Sequence, residues 1–155
     1  MQSETETVLY FQDLRIDQRT KQVLAGKICP YCGKPTELTD SAEVYHGYSF
    51  GLIYLCRSCD AYVGCHKGTE RALGRLANAE LRYWKHQAHE AFDKLWQGKT
   101  KVMTREQGYR FLSRELGIPA KYTHIGMFKV ETCQKVISIC NKVLSDHEKT
   151  DYGIK

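Results

Sequence analysis

The stretches Cys29-Pro30-Tyr31-Cys32-Gly33 and Cys56-Arg57-Ser58-Cys59-Asp60 decide the fold of the first part of this chain. Each is a C-x-x-C pair that can lie on a tight turn, and about two dozen residues separate the pairs. Together they supply the four soft ligands that one tetrahedral Zn²⁺ requires. Because four protein ligands leave the ion no open position, the spacing predicts one structural zinc ion rather than a catalytic one. The predicted ligands are Cys29, Cys32, Cys56 and Cys59.

The cysteine count and the start of the chain indicate a reducing compartment. The polar, acidic segment Met1–Thr7 lacks the pattern of a secretion signal, and no apolar run approaches the roughly 18 residues that a membrane span needs. In a reducing compartment C-x-x-C pairs are more often metal ligands than disulfides, and seven cysteines cannot all pair. A redox pair would need a βαβ context that neither C-x-x-C has. We therefore expect a cytoplasmic protein that does not bind a membrane.

The order of apolar, glycine-containing and charged segments indicates an α+β protein. We expect a small zinc ribbon of short antiparallel strands packed against about three α-helices. A ribbon of this size buries too little apolar surface to fold unaided, so metal binding would contribute to its folding free energy. The expected segments are an N-terminal strand and lead-in at 1–27, the zinc ribbon at 28–69, a helical part at 70–145 and a flexible tail at 146–155.

Periodicity and turn residues place the individual elements. Mixed or short apolar runs predict strands at residues 8–16, 43–45, 52–55 and 61–64. Apolar residues at helical spacing predict helices at about 70–97, from Thr104 to Gly117, and at about 132–144. Thr104 and Gln107 fit a capping box at the start of the second helix. Cys133 and Cys140 fall on the apolar face of the third, where a free cysteine packs as a small hydrophobe.

A basic stripe on the first predicted helix is a candidate contact for DNA or RNA. Residues 70–121 contain eleven basic and six acidic side chains, an excess equal to the net charge of +5 of the whole chain. Side chains spaced three, four and seven residues apart on a helix project from one side and can follow a phosphate backbone. The alternative is an ordinary solvated helix face. The stripe consists of Arg71, Arg75, Arg82 and His86.

Aromatic residues are concentrated in the predicted ribbon and allow two interpretations. The rings can stack on unpaired bases, as they do in many small β modules that bind nucleic acid. They can equally form the small core of the ribbon itself, which is the interpretation that we favour. The residues are Tyr45, Tyr48, Phe50, Tyr54 and Tyr62.

Several histidines lie close in sequence to residues that could bind a metal or take part in catalysis. Cys65 and His66 follow the second cysteine pair closely and could replace a ligand or begin a second site; we favour the simpler interpretation, that they end a strand packed near the cysteine turns. His89 and Asp93 are four residues apart on the polar helix face, which suits a general base, a metal dyad or merely a surface pair. With His66 or His124 they could form a hydrolytic site. The chain has no P-loop, no H-E-x-x-H and no nucleophile elbow.

Short motifs follow one another along the chain in an order that is more specific than any one of them. They are CPYCG at 29–33, YLCRSCDA at 54–61, VGCH at 63–66, LGRLA at 73–77, LR at 81–82, AHEAFDKLW at 88–96 and HIGMF at 124–128. This order resembles the zinc-finger-containing domain family of bacteria and phages, whose function is not established. The resemblance implies a zinc ribbon joined to a helical part, a phage or mobile-element setting inside a bacterial cell, and no particular activity. It also singles out a second polar site made of the motif members His66, His89, Asp93 and His124.

Three functions fit these observations. The leading hypothesis is a small structural-zinc protein that binds nucleic acid through the basic helix face and the ribbon aromatics. The second is a phage-encoded inhibitor or adaptor that binds a host protein through the same surface. The third is a hydrolase or nuclease that uses His89, Asp93 and another histidine, although the motifs favour a protein that is not an enzyme.

Overall fold

A computed structural model describes residues 17–99 and 101–151 of the chain. These residues divide into two compact units whose boundary lies between Arg82 and Tyr83. They form a three-stranded antiparallel sheet and four α-helices, which confirms the α+β class. The strands are β1 (Glu37–Asp40), β2 (Leu52–Cys56) and β3 (Ala61–Gly64), and the helices are α1 (Gln18–Leu24), α2 (Ala79–Trp96), α3 (Arg105–Leu116) and α4 (Val130–Asp151). The predicted strand at 8–16 lies outside the described residues, and the predicted segment boundaries stay predictions.

The central strand β2 organises the sheet of the first unit. Four of its five residues are buried, and Tyr54 pairs with Leu38 of β1 on one side and with Val63 of β3 on the other. An apolar run covered on both faces is typical of a central strand. The predicted strands at 52–55 and 61–64 are therefore confirmed. The sequence analysis missed β1 because its residues, ELTD, are mostly polar and exposed.

The predicted strand at 43–45 is wrong because side-chain caps turn the chain before it. The Asp40 carboxylate accepts a hydrogen bond from the Ala42 amide at 2.8 Å and so begins a 3₁₀ turn at Ser41–Glu43. The amides of the next two residues both donate to the Ser41 carbonyl instead of to a neighbouring strand. Aspartate commonly competes with strand pairing in this way.

The predicted helix at 70–97 is wrong over its first nine residues. Helix α2 begins only at Ala79, and residues 71–77 form a bent, non-helical segment that is bridged to β3 and to Cys65. Asn78 then starts the helix, since its side-chain oxygen accepts the Leu81 amide at 2.9 Å. Leu76 is fully buried as expected, although it packs from this non-helical segment and not from a helix face.

The core of the first unit is small and includes predicted metal ligands. Six of its buried residues form one cluster: Cys29, Tyr54, Cys56, Ala61, Val63 and Leu76. The Tyr54 hydroxyl joins this core to its surroundings, because it accepts a hydrogen bond from Lys27 Nζ at 2.8 Å and donates to the Glu70 carbonyl at 2.6 Å. Since two of the six core residues are predicted zinc ligands, packing and metal binding in this unit depend on the same side chains.

In the second unit, helix α2 packs against helix α3 through two aromatic rings. The Phe92 ring is buried, and its centroid lies 4.5 Å from that of Tyr109. Helix α3 begins with the predicted capping box: Thr104 Oγ1 accepts the Gln107 amide at 3.1 Å, and Gln107 Oε1 accepts the Thr104 amide at 2.9 Å. It ends at Gly117, whose φ of 69° is the left-handed conformation that favours glycine. The second predicted helix is therefore confirmed.

Helix α4 is longer than the sequence analysis predicted. It runs from Val130 to Asp151, so the expected end near residue 144 is wrong. The residues beyond are polar but suit a helix, and Lys142 and Asp146 form an i,i+4 pair at 3.7 Å. Cys133 and Cys140 are fully buried, as predicted. Helix α1 was missed because it buries only Val23 and therefore carries no amphipathic pattern.

We predict that Gly108→Ala destabilises the second unit. A methyl group at this position would lie 2.8 Å from Cε1 of the buried Phe92 ring. Alanine gains about 1 kcal/mol over glycine in a helix, whereas overpacking costs about 1–3 kcal/mol, so we expect a net loss of about 1 kcal/mol. Urea unfolding followed by circular dichroism measures this change. Arg110→Ala, on the exposed side of the same helix, is the control, and an equal or larger loss there would contradict the prediction.

Candidate metal centre

The four predicted cysteine ligands lie together in the first unit. Their sulfur atoms are all within 4.8 Å of one another, and the Cys32 and Cys56 sulfurs are 3.7 Å apart. A tetrahedral site with Zn–S bonds of about 2.3 Å places neighbouring sulfurs about 3.8 Å apart. A disulfide would need about 2.05 Å. The spacing therefore fits four ligands of one zinc ion, and it closes the site to further ligands.

Backbone turns position the first pair of sulfurs. The Gly33 amide donates to the Cys29 carbonyl at 2.9 Å, and Gly33 has a φ of 77° that most other residues would adopt only with strain. The amides of Tyr31 and Cys32 point at the Cys29 sulfur and lower its pKa, although burial has the larger effect and raises it. This turn offers the arrangement of amides that stabilises a metal-bound thiolate.

The second pair follows directly from β2. Cys56 is the last residue of the strand, and its sulfur lies 3.4 Å from the Ser58 hydroxyl. That hydroxyl, together with the Cys59 amide, lowers the pKa of Cys56 to about 6 despite burial. Burial and the neighbouring thiols raise the pKa of Cys59 to about 12. One thiolate therefore forms readily, but four thiolates this close together require a cation to balance their charge.

Within residues 17–99 and 101–151, no other group of histidine, cysteine and acidic side chains is close enough to hold a metal. Cys65 does not join the four ligands. It directly follows β3 and packs, half-buried, against the core that contains Cys29 and Cys56, as the simpler interpretation expected. His66 begins an exposed turn in the first unit, whereas His89, Asp93 and His124 belong to the second unit.

The residues of the predicted basic stripe do not share one helix face. Arg71 and Arg75 precede α2, and Arg75 is only 8% exposed. His86 lies on α2 and pairs with Glu90 at 3.2 Å. The expectation of a continuous helical stripe is therefore wrong, because the chain is not helical where the stripe was to begin. Contact of these residues with nucleic acid stays a prediction.

Arg82 joins the second cysteine turn to the start of α2. Its guanidinium donates to the Asp60 carbonyl at 2.8 Å, to Asp60 Oδ2 at 3.1 Å and to the Ala77 carbonyl at 2.8 Å. It also lies over the Tyr62 ring, with Cζ 4.4 Å from the ring centroid. Planar, multidentate contacts of this kind are specific to arginine. The sequence analysis assigned Arg82 to the basic stripe, with a solvated helix face as the alternative, and only the long-range pairing reveals its structural role.

Tyr31 makes the corresponding connection from the first cysteine turn. Its hydroxyl donates to the Leu76 carbonyl at 3.4 Å and accepts the Asn78 amide at 3.1 Å. The sequence analysis gave this tyrosine no role, since nothing in the motif CPYCG indicates a partner 45 residues away. The two cysteine turns are thus both tied to the segment that leads into α2.

The ribbon aromatics fall into two groups. Tyr54 is in the core, as the favoured interpretation expected, and Tyr62 is half-buried, whereas the other three rings are exposed. We call these three the aromatic loop: Tyr45, Tyr48 and Phe50, which are 40%, 73% and 78% exposed. Tyr45 contacts Phe50 edge-on at 5.3 Å and Tyr62 at 6.1 Å, measured between ring centroids. The core interpretation therefore applies to Tyr54, whereas stacking of the exposed rings on bases stays a prediction.

We predict that the purified protein contains one zinc ion per chain and that Cys56→Ser loses it. Serine cannot replace the thiolate as a soft ligand, so the site opens and the small core around it loses support. Elemental analysis and far-ultraviolet circular dichroism measure the two effects. Cys65→Ser is the matched control because Cys65 is half-buried beside the site without being a ligand. Stoichiometric zinc in Cys56→Ser, or its loss in Cys65→Ser, would contradict the assignment.

We predict that Arg82→Ala weakens the first unit and speeds zinc release to a competing chelator. The substitution removes three hydrogen bonds, and we expect a loss of about 1–3 kcal/mol, limited by the partial exposure of the ion pair. Arg82→Lys should recover little, since lysine lacks the planar donor set. The exposed Arg71→Ala serves as the control. An equal change in both variants would mean that the Asp60 contacts carry no stability.

Comparison with known proteins supports the assignment of this cysteine cluster. A family model described as a zinc-finger-containing domain matches residues 25–143, which include all four cysteines. No curated protein and no solved structure matches the chain. No helix in the described residues is long and apolar enough to cross a membrane. The match covers most of the chain, and the four sulfurs lie where a zinc finger needs them, so this protein belongs to the zinc-finger-containing domain family.

Proposed function

We propose that this protein binds single-stranded nucleic acid through the aromatic loop of its zinc-stabilised unit. The observation that carries the proposal is the exposure of Tyr48 and Phe50, at 73% and 78%. Large rings are usually at least partly covered in a folded domain, and neighbouring exposed rings mark an interaction surface. Stacking of an unpaired base on such a ring is worth about 1–3 kcal/mol, and it does not depend strongly on sequence.

The backbone holds the aromatic loop in a defined shape. The Phe50 amide donates to the hydroxyl of the buried Ser41 at 2.7 Å, and the Ser49 hydroxyl donates to Asp40 Oδ2 at 3.0 Å. Gly47 and Gly51 have φ values of 92° and 107°, which allow the sharp turns on either side. A loop that is already ordered loses little conformational entropy when bases stack on it.

Exposed basic side chains lie at the same end of the sheet as the aromatic loop. Leu52, at the start of β2, pairs with the end of β1, and its neighbour Ile53 pairs with Gly64 at the end of β3. The loop before β2 and the turn after β3 therefore lie at the same end of the sheet. That turn carries the exposed Lys67 and Arg71. They are suitable partners for phosphates, and Arg71 is one of the residues that the sequence analysis assigned to the basic stripe.

Zinc has a purely structural role in this proposal. The ion would close the cysteine cluster, fix the sheet and thereby present the loop, with no direct contact to the bound strand. The cellular setting that the family resemblance implies, a phage or mobile element in a bacterial cytoplasm, is part of the proposal. Single-stranded DNA or RNA is abundant there during replication and transcription.

We predict that Tyr48→Ala combined with Phe50→Ala weakens binding of single-stranded DNA and RNA at least tenfold. Loss of stacking on two rings exceeds the 1.4 kcal/mol that corresponds to a factor of ten. Fluorescence anisotropy with labelled oligonucleotides, at low and moderate salt, measures the affinity, and the salt dependence reports phosphate contacts. Tyr83→Ala, an exposed tyrosine of the second unit, is the control.

Zinc content and circular dichroism must be unchanged in both variants for the comparison to count. Equal affinity of the double variant and the wild type would overturn the role of the aromatic loop. If the wild type binds neither DNA nor RNA at low salt, the nucleic-acid hypothesis fails. The host-protein adaptor would then remain as the function of the exposed rings.

A further inference from the structure

The second cysteine turn carries an arginine that binds the segment just before the aromatic loop. Arg57 directly follows Cys56, and its Nε and Nη2 atoms donate to the two carboxylate oxygens of Glu37, each at 2.9 Å. Nη2 also donates to the Glu43 carboxylate. Two parallel bonds to one carboxylate hold the planar guanidinium in a defined orientation. One side chain therefore joins the cysteine turn to strand β1 and to the 3₁₀ turn that contains Glu43.

Glu43 in turn fixes the start of the aromatic loop. It ends the 3₁₀ turn and lies two residues before Tyr45, the first ring of the loop. Its carboxylate also accepts the Thr39 hydroxyl, so β1 holds it as well. The Tyr45 amide donates to the Ser41 carbonyl at 3.1 Å, which leaves the backbone little freedom between Glu43 and Tyr45. The position of Tyr45 therefore depends on where Arg57 holds Glu43.

A second connection runs from the cysteine turn through aromatic rings. Arg82 binds Asp60 and covers the Tyr62 ring, with Cζ 4.4 Å from the ring centroid. The Tyr62 ring meets Tyr45 edge-on at 6.1 Å, and Tyr45 meets Phe50 edge-on at 5.3 Å. Cation–π and edge-to-face contacts both favour particular orientations of the groups that make them. A continuous series of contacts thus leads from Asp60 to Phe50.

Both connections begin at the second cysteine turn. The first turn makes different contacts, since the Tyr31 hydroxyl binds the backbone at Leu76 and Asn78. The two halves of the metal centre therefore have different structural roles. The first is tied to the segment that leads into α2, whereas the second is also tied to the aromatic loop.

We propose that Arg57 and Arg82 are positioning residues for nucleic-acid binding, which transmit the shape of the second cysteine turn to the stacking rings. This role rests on the binding function proposed above for the aromatic loop. Closure of the cysteine cluster fixes the second turn, the two arginines then fix Tyr45, and Phe50 packs against Tyr45. Neither arginine has to contact the bound strand. The metal centre and the binding surface are thereby coupled through side chains of this unit.

The charges of the Arg57 network separate a positioning role from a simple electrostatic one. Removal of the Glu43 carboxylate raises the net charge of the protein, which by itself favours binding of a polyanion. It also frees part of the Arg57 guanidinium for phosphates. Loss of order in the aromatic loop has the opposite effect, because ordering the rings again costs conformational entropy when bases stack on them. Weaker binding after removal of Glu43 therefore identifies a positioning role.

The first test measures the order of the aromatic loop without nucleic acid. Hydrogen exchange of residues 41–51, followed by mass spectrometry, reports local opening of amides such as that of Phe50. We expect exchange to be about fivefold faster in Glu43→Ala and in Arg57→Ala, since exposed ion pairs contribute modestly even in a network. Tyr62→Leu interrupts the second connection and should have a similar effect.

Two variants of the same unit are the controls. Glu70→Ala removes an exposed carboxylate and changes the net charge as Glu43→Ala does. Tyr31→Phe removes the hydrogen bonds of the first cysteine turn. Neither control should alter exchange at residues 41–51, and all variants are compared at full zinc occupancy, verified by elemental analysis. Unchanged exchange in Glu43→Ala and Arg57→Ala, or an equal increase in Tyr31→Phe, would overturn the proposal.

The second test measures affinity for labelled single-stranded DNA and RNA by fluorescence anisotropy. We expect Glu43→Ala to bind about fivefold more weakly than the wild type, in line with its faster exchange, and Glu70→Ala to bind as tightly or more tightly. Equal or tighter binding by Glu43→Ala would overturn the positioning role. If the wild type binds no strand, the proposed function fails, whereas faster exchange in Glu43→Ala would still support the connection between the cysteine turn and the loop.

Discussion

The convergence of four cysteine sulfurs is the constraint on which the first unit depends. Cys29 and Cys56 belong both to these four ligands and to the six-residue core cluster of this unit. A core of this size buries too little apolar surface to hold the sheet without further support. A bound zinc ion removes this difficulty, because it links two turns that are distant in sequence and balances charge that the thiolates could not tolerate together.

Tyrosine and arginine side chains extend this constraint outward from the cysteine turns. Tyr31 binds the backbone at Leu76 and Asn78, and Arg82 binds it at Asp60 and Ala77. The entry into α2 is thereby fixed relative to both turns. A basic residue near a metal site is easily assigned to an anionic ligand, but here the strongest donors of Arg82 are used within the protein.

The two compact units offer different chemistry. The first presents exposed aromatic rings on an ordered loop, which suits stacking and explains why apolar side chains remain in solvent. In the second, the Arg105 guanidinium and the His124 ring both lie against the Tyr109 ring.

The sequence by itself determined the features that depend on local spacing. Two C-x-x-C pairs identify four ligands because a tetrahedral ion accepts few other arrangements, and the Thr104–Gln107 capping box locates the start of α3 because its hydrogen bonds span one turn. Burial of Cys133 and Cys140 likewise follows from their spacing on a helix.

Only the tertiary structure decided the features that depend on distant partners. Residues 71–77 satisfy a helical pattern, yet they pair with β3 because the sheet offers them backbone partners that no local pattern reveals. In the folded chain Arg75 is buried and Arg82 binds Asp60. The predicted basic stripe therefore does not form on one helix face. In the same way, Phe92, Tyr109 and His124 stand in separate parts of the sequence, and only the packing of the second unit brings their rings together. Long-range contacts depend on which surfaces pack together in the folded chain, so local sequence patterns do not predict them directly.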